Sequence, residues 1–125
     1  MKKAIVGVAG SLLLAVVMFG APKDSTYTGE IMDNQCAKNA SHGPMLKKEG
    51  MGDKNPNDPM AKKMCTMNCV KMGGKYVLYN SKTKSVYELD DQAKPADFAG
   101  ANVKVSGTLN KATKTIHVTN IEAAS

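Results

Sequence analysis

The chain has 125 residues, a formal net charge of +6, three cysteines and no tryptophan. All seventeen basic residues are lysine, which lacks the bidentate and stacked contacts with which arginine reads bases and phosphates. Composition therefore argues against nucleic-acid binding, and the length suits one domain with a modest core.

The first 21 residues have the pattern of an export signal. Two lysines after Met1 precede an apolar run over residues 4–19, as in a basic segment followed by a hydrophobic one. We expect residues 1–21 to direct export, which makes the protein periplasmic or secreted and lowers its formal charge from +6 to +4 by removal of Lys2 and Lys3.

The signal could also remain uncleaved as a membrane anchor. A cut after Ala21 would place Phe19 where a small residue is preferred and Pro22 directly after the cut. The apolar run is also near the lower limit for crossing a bilayer, about 17 residues. An uncleaved anchor is the second interpretation, and contact with a membrane is expected only in that case.

Residues 22–125 predict a single, mainly β domain with five strands. Alternating or β-branched segments bounded by turn residues predict strands over 27–33, 75–79, 85–89, 102–109 and 115–121. Gly29, inside the first strand, indicates a bulge or a close backbone approach. We expect a five-stranded OB-like barrel, with an open sandwich or an antiparallel sheet crossed by one helix as the alternatives.

The segment 34–74, after the first strand, is expected to be an insertion made of a long loop and a short helix. Residues 34–57 contain many Gly, Pro, Asn and Lys residues and few apolar ones, which indicates a loop that is functional or disordered. A helix then begins at Pro59, capped by Asn57 or Asp58, and ends at Gly73-Gly74.

This helix carries two of the three cysteines. Cys65 and Cys69 are one turn apart and face the same side, and Ala61 and Met72 are expected beside them. An adjoining stripe of methionines is more typical of core packing than of ligands, and it consists of Met60, Met64 and Met67.

Three motifs together resemble a group of small exported bacterial domains of OB-like fold that is essentially uncharacterised. They are the run from Tyr27 to Asp33 followed by Cys36, the pair Cys65-x-x-x-Cys69 followed by Gly73, and Gly100-x-x-Val103-x-Val105-x-Gly107-Thr108-Leu109. The resemblance covers most of residues 22–125. It implies export and the fold, and it implies no activity.

A soft-metal site is the sharper functional hypothesis. Three thiolates and one imidazole form the ligand set of a closed tetrahedral zinc centre, and nearby thioethers favour copper(I). We predict copper(I) or zinc as the cofactor, and otherwise none. The predicted ligands are Cys36, His42, Cys65 and Cys69, with Met64 and Met72 as additional soft ligands.

A structural disulfide is the alternative for the cysteines. Cys65 and Cys69 are poorly placed to bond each other on one helix, so Cys36 would bridge to one of them and leave the other free. The domain would then bind an envelope protein or another ligand without metal. The expected contact aromatics are Tyr76, Tyr79 and Tyr87.

The two histidines carry weaker signals. His42 taken alone is more typical of a solvated loop residue than of a ligand. His117 alternates with Ile116 and Val118 in the last predicted strand, so it should point to solvent.

Catalytic motifs do not emerge from the sequence. Residues 53–64 begin like a calcium loop, but Asp58 stands where glycine is needed and Met64 where glutamate is needed. Cys65-x-x-x-Cys69 is one residue too long for a thioredoxin-like motif, and no serine lies in a nucleophile elbow. Thiol redox chemistry at Cys65 or Cys69 is the weakest alternative. The sequence therefore predicts an exported, non-catalytic binding module.

Overall fold

A computed structural model describes residues 24–124 of the chain. The predicted export signal, residues 1–21, lies outside this range. Within it, no helix combines the length and apolar character needed to cross a membrane. The strands are β1 (Ser25–Asp33), β2 (Tyr76–Asn80), β3 (Ser85–Leu89), β4 (Asn102–Asn110) and β5 (Thr115–Ala123).

The five strands form one sheet that closes into a ring in the order β1-β2-β3-β5-β4, with β4 pairing back onto β1. All neighbouring pairs are antiparallel except β3 and β5, which run parallel through Leu89 and Ile116. The mainly β prediction is confirmed, and all five predicted strands are present with small differences at their ends.

The segment after β1 is more helical than expected. Residues 34–57 contain two six-residue helices, α1 (Asn34–Asn39) and α2 (Gly43–Lys48), where the sequence predicted a loop. Asp33 caps α1 by accepting hydrogen bonds from two backbone N–H groups, and Pro44 lies in the first turn of α2. Six residues are too few to show a helical period, and this is why the pattern failed to predict them.

Helix α3 (Pro59–Lys71) has the start and the end that the sequence predicted. The Asp58 carboxylate accepts from the N–H groups of Met60 and Ala61 at 3.0 Å. At the other end, Gly74 N–H donates to the Cys69 carbonyl and Gly73 N–H to the Val70 carbonyl, which is the Schellman arrangement. A 3₁₀-helix, Lys94–Phe98, lies between β3 and β4.

Buried side chains form two clusters on opposite faces of β1 and β2. The ring cluster comprises Ile31, Tyr76, Leu78, Leu89, Ala99, Val103, Val105, Ile116, Val118 and Ile121. The helix cluster comprises Met32, Cys36, Ala37, Leu46, Ala61, Cys65, Cys69, Val77 and Tyr79. Because alternate residues of a strand point to opposite faces, β1 and β2 are apolar on both sides, and the helices pack on their outer face.

Gly29 lets β1 and β2 approach closely. A Cβ atom at this position would lie 2.3 Å from the carbonyl oxygen of Tyr79, a distance that real Cβ atoms essentially never show. The expected close backbone approach is confirmed. It brings the strand that precedes the helices against the strand that follows them.

Candidate metal centre

The three cysteines, which are far apart in sequence, meet in the helix cluster. Their Sγ atoms all lie within 4.8 Å of one another, and each residue is buried: Cys36 and Cys65 are 0 % exposed and Cys69 is 5 % exposed. All three are free thiols. In the described part of the chain, no other histidine, cysteine or acidic side chain joins this group.

Their spacing matches that of metal ligands more closely than that of a disulfide. Cys36 Sγ and Cys65 Sγ are 3.7 Å apart, whereas bonded sulfurs lie about 2.0 Å apart. Two thiolates on one tetrahedral zinc ion, with Zn–S bonds of about 2.3 Å, are separated by roughly 3.8 Å. The geometry therefore suits a shared ion without a large movement of Cys36 or Cys65.

Two elements position the sulfurs. Helix α3 places Cys65 and Cys69 one turn apart on its buried side, together with Ala61, as predicted. Helix α1 supplies Cys36, and the Asp33 cap fixes that helix by accepting from Gln35 N–H at 2.9 Å and from Cys36 N–H at 3.3 Å. The site is therefore assembled from both ends of the segment 34–74.

The environment keeps the thiols protonated when no cation is bound. Burial raises the pKa of all three cysteines, to about 12 for Cys69. The Asp33 carboxylate raises the pKa of Cys36 and Cys69 further, because it disfavours a second negative charge nearby. A metal ion would reverse this effect, because thiolates bind it and their protons are released.

Several buried polar atoms in β1, in α3 and directly after α2 have no hydrogen-bond partner within residues 24–124. Two of them are carboxylate oxygens, Oδ1 of Asp33 and Oε2 of Glu49, and a third is Oγ1 of Thr66 in α3. The Cys69 thiol lies 3.8 Å from Oε1 of Glu49. Unpaired buried oxygens are costly, so this cluster of thiols and carboxylates has unused capacity to bind a ligand.

His42, the predicted fourth ligand, is not part of the cysteine group. Its Nε2 pairs with Oε2 of Glu30 at 2.9 Å, and Lys62 Nζ donates to the other oxygen of the same carboxylate at 2.6 Å. His42 is also 2 % exposed, so the expectation of a solvated loop residue was wrong. The expectation fails because the His42 side chain is turned inward to the Glu30 carboxylate of β1.

Glu30, the partner of His42, is not among the residues that the sequence predicts for the site. Burial raises the pKa of its carboxyl, but hydrogen bonds and the charges of His42 and Lys62 outweigh burial and hold that pKa below its ordinary value. Glu30 directly precedes the apolar pair Ile31-Met32 in β1. A charged residue next to a buried stretch of a strand was the available signal that it has a partner.

The methionines of α3 are more exposed than expected. Met60, Met64 and Met72 are 63 %, 44 % and 68 % exposed, and Met67 alone packs, partly buried, against the ring cluster. Met72 does line a cleft of about 270 Å³ that reaches Cys69 and also borders Asp33. Of the three cysteines, Cys69 is the one that lines this cleft.

The three tyrosines predicted as contact residues differ in accessibility. Tyr76 and Tyr79 are buried, one in each cluster, so their rings are not open to a partner. Tyr87 is partly exposed, and its ring lies 5.5 Å from that of Tyr27 between centroids. His117 is exposed, as predicted, and pairs with Asp90 on the surface.

Comparison with known proteins gives one similarity. A family model described as "Protein of unknown function (DUF5818)" matches residues 70–124, which contain β2 to β5 and the last residues of α3. The match begins after the three cysteines. No curated protein and no solved structure matches the chain. The similarity is to an uncharacterised family, and of the three motifs it covers in full the run from Gly100 to Leu109. It carries no activity.

Proposed function

We propose that this protein is an exported, non-catalytic binding module that holds a soft metal ion, zinc or copper(I), through Cys36, Cys65 and Cys69. The observation that carries the proposal is the convergence of three buried thiols within 4.8 Å. One of them comes from α1 and two come from α3. Cysteine thiolates are the preferred protein ligands of both ions.

The surroundings of the thiols support binding rather than catalysis. A nucleophilic cysteine has a lowered pKa and partial exposure, whereas burial raises the pKa of each thiol here. The cleft beside Cys69 supplies access for an ion. The apolar N-terminal run after two lysines supports export.

We also propose that the ring of five strands is an OB-like barrel. Its support is the strand order β1-β2-β3-β5-β4, with one parallel pair and closure through β4 and β1. A five-stranded barrel that closes on itself is the architecture of that fold. In this interpretation α1, α2 and α3 are additions that exist to build the thiol site on the outer face of β1 and β2.

Native and denaturing mass spectrometry of the protein from the exported fraction, prepared without reductant, tests the metal proposal. We expect one metal ion per chain, lost on denaturation, with three reduced thiols. The double variant Cys65→Ser, Cys69→Ser should bind no metal. Met60→Leu, an exposed change on the same helix, is the control and should bind as wild type does. Retention of metal by the double variant would overturn the proposal.

A disulfide-stapled module is the second candidate, because Cys36 and Cys65 are neighbouring thiols that come from different helices. In this case the domain would bind an envelope protein without metal, and Tyr87 is the accessible aromatic residue for that contact. The same mass measurement distinguishes the two, because a disulfide lowers the denatured mass by a pair of hydrogens and leaves no metal adduct.

A further inference from the structure

We propose that Glu49 is the fourth ligand of the thiol site and that it makes the site specific for a divalent ion of the zinc type over copper(I). This inference rests on the proposed metal-binding function and extends it to the identity of the ion. It assigns to a carboxylate the position that His42 does not fill.

Three thiolates leave one position open in a tetrahedral site. His42 does not fill it, because its Nε2 is engaged by Glu30. Two carboxylates adjoin the thiols and carry a buried oxygen that has no partner in the described structure, Asp33 and Glu49. One of these two is the candidate for the fourth position.

Asp33 already has a structural role. Its Oδ2 caps α1 through the N–H groups of Gln35 and Cys36, and a change of orientation would break the cap that holds Cys36. The side chain of Glu49 caps no helix. The side-chain contact that the structure shows for it is Oε1 to Cys69 Sγ, at 3.8 Å, and its Oε2 has no partner.

The distance also fits coordination. With Zn–S bonds of about 2.3 Å and a Zn–O bond of about 2.1 Å, a tetrahedral site separates sulfur and oxygen by roughly 3.6 Å. The observed 3.8 Å between Glu49 Oε1 and Cys69 Sγ is close to this value. Coordination also requires the carboxylate to turn toward Cys36 and Cys65, because it lies outside the group of atoms that are all within 4.8 Å of one another. Glu49 directly follows α2, where its N–H donates to the Met45 carbonyl at 3.0 Å, so α2 fixes the point from which its side chain extends.

Charge and ligand softness both favour a divalent ion at this set of ligands. Three thiolates and one carboxylate carry four negative charges, and a divalent ion leaves less uncompensated charge in the buried site than a monovalent one. Carboxylate oxygen is an ordinary zinc ligand, whereas copper(I) is selected by thiolates and thioethers. Met64 and Met72, the thioethers predicted to serve copper, are 44 % and 68 % exposed.

The test is a competition titration of the reduced full-length exported protein with zinc and, separately, with copper(I), each against a chromophoric chelator. We expect Glu49→Gln to weaken zinc binding by at least about tenfold, the loss seen when even an outer partner of a ligand is removed, and to leave copper(I) affinity within about twofold. Glu122→Gln, an exposed glutamate in β5, is the matched control and should change neither affinity.

A second variant distinguishes loss of a ligand from misfolding in Glu49→Gln. Glu49→His supplies a neutral nitrogen ligand that zinc also accepts, so it should restore part of the zinc affinity that Glu49→Gln loses. Cobalt(II), used as a spectroscopic substitute, should give the visible bands of a tetrahedral thiolate site in wild type and shifted bands in Glu49→His.

Two results would overturn the inference while leaving the proposed function intact: unchanged zinc affinity in Glu49→Gln, or equal losses of zinc and copper(I) affinity in that variant. Failure of the proposed function has a different signature. In that case the reduced wild-type protein binds neither ion, and the Cys65→Ser, Cys69→Ser variant behaves as wild type does.

Discussion

Ile31 and Met32 are adjacent in β1, yet their side chains belong to different hydrophobic clusters on opposite faces of the sheet. Ile31 packs inside the ring with Leu78 and Val105. Met32 packs outside it, with Cys36 and Cys65. The thiol site is therefore part of a core that is separate from the core of the ring, and changes in one can be distinguished from changes in the other.

Truncating one buried leucine in each core should separate stability from metal binding. Leu46 in α2 and Leu89 in β3 are 1 % and 4 % exposed, so Leu46→Ala and Leu89→Ala should each cost about 2–5 kcal/mol of unfolding free energy. Only Leu46→Ala should also weaken metal binding, since α2 packs beside the thiols. Urea unfolding and chelator competition measure the two effects. Equal losses of metal affinity in both variants would contradict the separation of the cores.

Gly29 should not tolerate even a methyl group. In Gly29→Ala the new Cβ would lie 2.3 Å from the Tyr79 carbonyl oxygen, and relief requires β1 and β2 to move apart, at a cost of about 1–3 kcal/mol. Gly43→Ala is the matched control, because its nearest non-neighbouring atom would be at 3.4 Å; we expect a change within about 0.5 kcal/mol. The midpoint of urea unfolding checks both, and a neutral Gly29→Ala would show that the strands are not held at this distance.

Stability should fall in acid because of Glu30. Its pKa in the folded protein lies below the ordinary value of 4.5, so its stabilising contribution is complete above that value and is lost as the pH falls through the folded pKa. Replacement of Glu30 by glutamine should lower the free energy of unfolding at pH 7. It should also make that free energy fall less steeply as the pH is lowered below 5. Thermal unfolding across this range measures the slope.

The matched comparison for Glu30→Gln is again Glu122→Gln, at an exposed carboxylate. That variant should keep the wild-type acid dependence. If Glu30→Gln also keeps it, the pairing of Glu30 with His42 and Lys62 does not contribute to acid sensitivity.

Alkylation of the metal-free protein should be slow and ordered. Burial raises the pKa of all three thiols, so little thiolate is present at pH 7, and thiolate is the reactive form. Cys69, which lines the cleft, should react with iodoacetamide before Cys36 and Cys65. Peptide mass spectrometry after timed labelling reports the order, and labelling in urea supplies the unprotected rate. Rapid labelling of Cys36 in the native protein would contradict the burial.

Regular patterns in the sequence predicted most of the fold. The alternation Val103, Val105 in β4 and Ile116, Val118 in β5 marks the face inside the ring, and the caps of α3 follow from Asp58, Pro59 and the two glycines. The sequence did not predict helices α1 and α2. Their formation depends on the burial of Ala37 and Leu46 in the helix cluster, a tertiary effect that a six-residue segment does not display.

The candidate site was predicted in part. Helical spacing brings Cys65 and Cys69 together, and their proximity to Cys36 follows from the packing of both α1 and α3 against β1. The prediction that His42 is a ligand was wrong, because its partner Glu30 is twelve residues earlier and on a strand. Glu49 gave no signal of its own, since a glutamate after two lysines in a polar segment is typical of solvated surface.

The connection between α2 and α3 is largely exposed, whereas the thiol site is buried. Residues 52–55 are exposed, and so is Asn57, while every sulfur of the cluster comes from elements outside this connection. The length of the exposed stretch, residues 52–55, can therefore change without displacing a thiol or Glu49. Related chains should show insertions and deletions here more readily than at any other point between β1 and β2, and this is the natural place to attach a fluorescent label or an affinity tag.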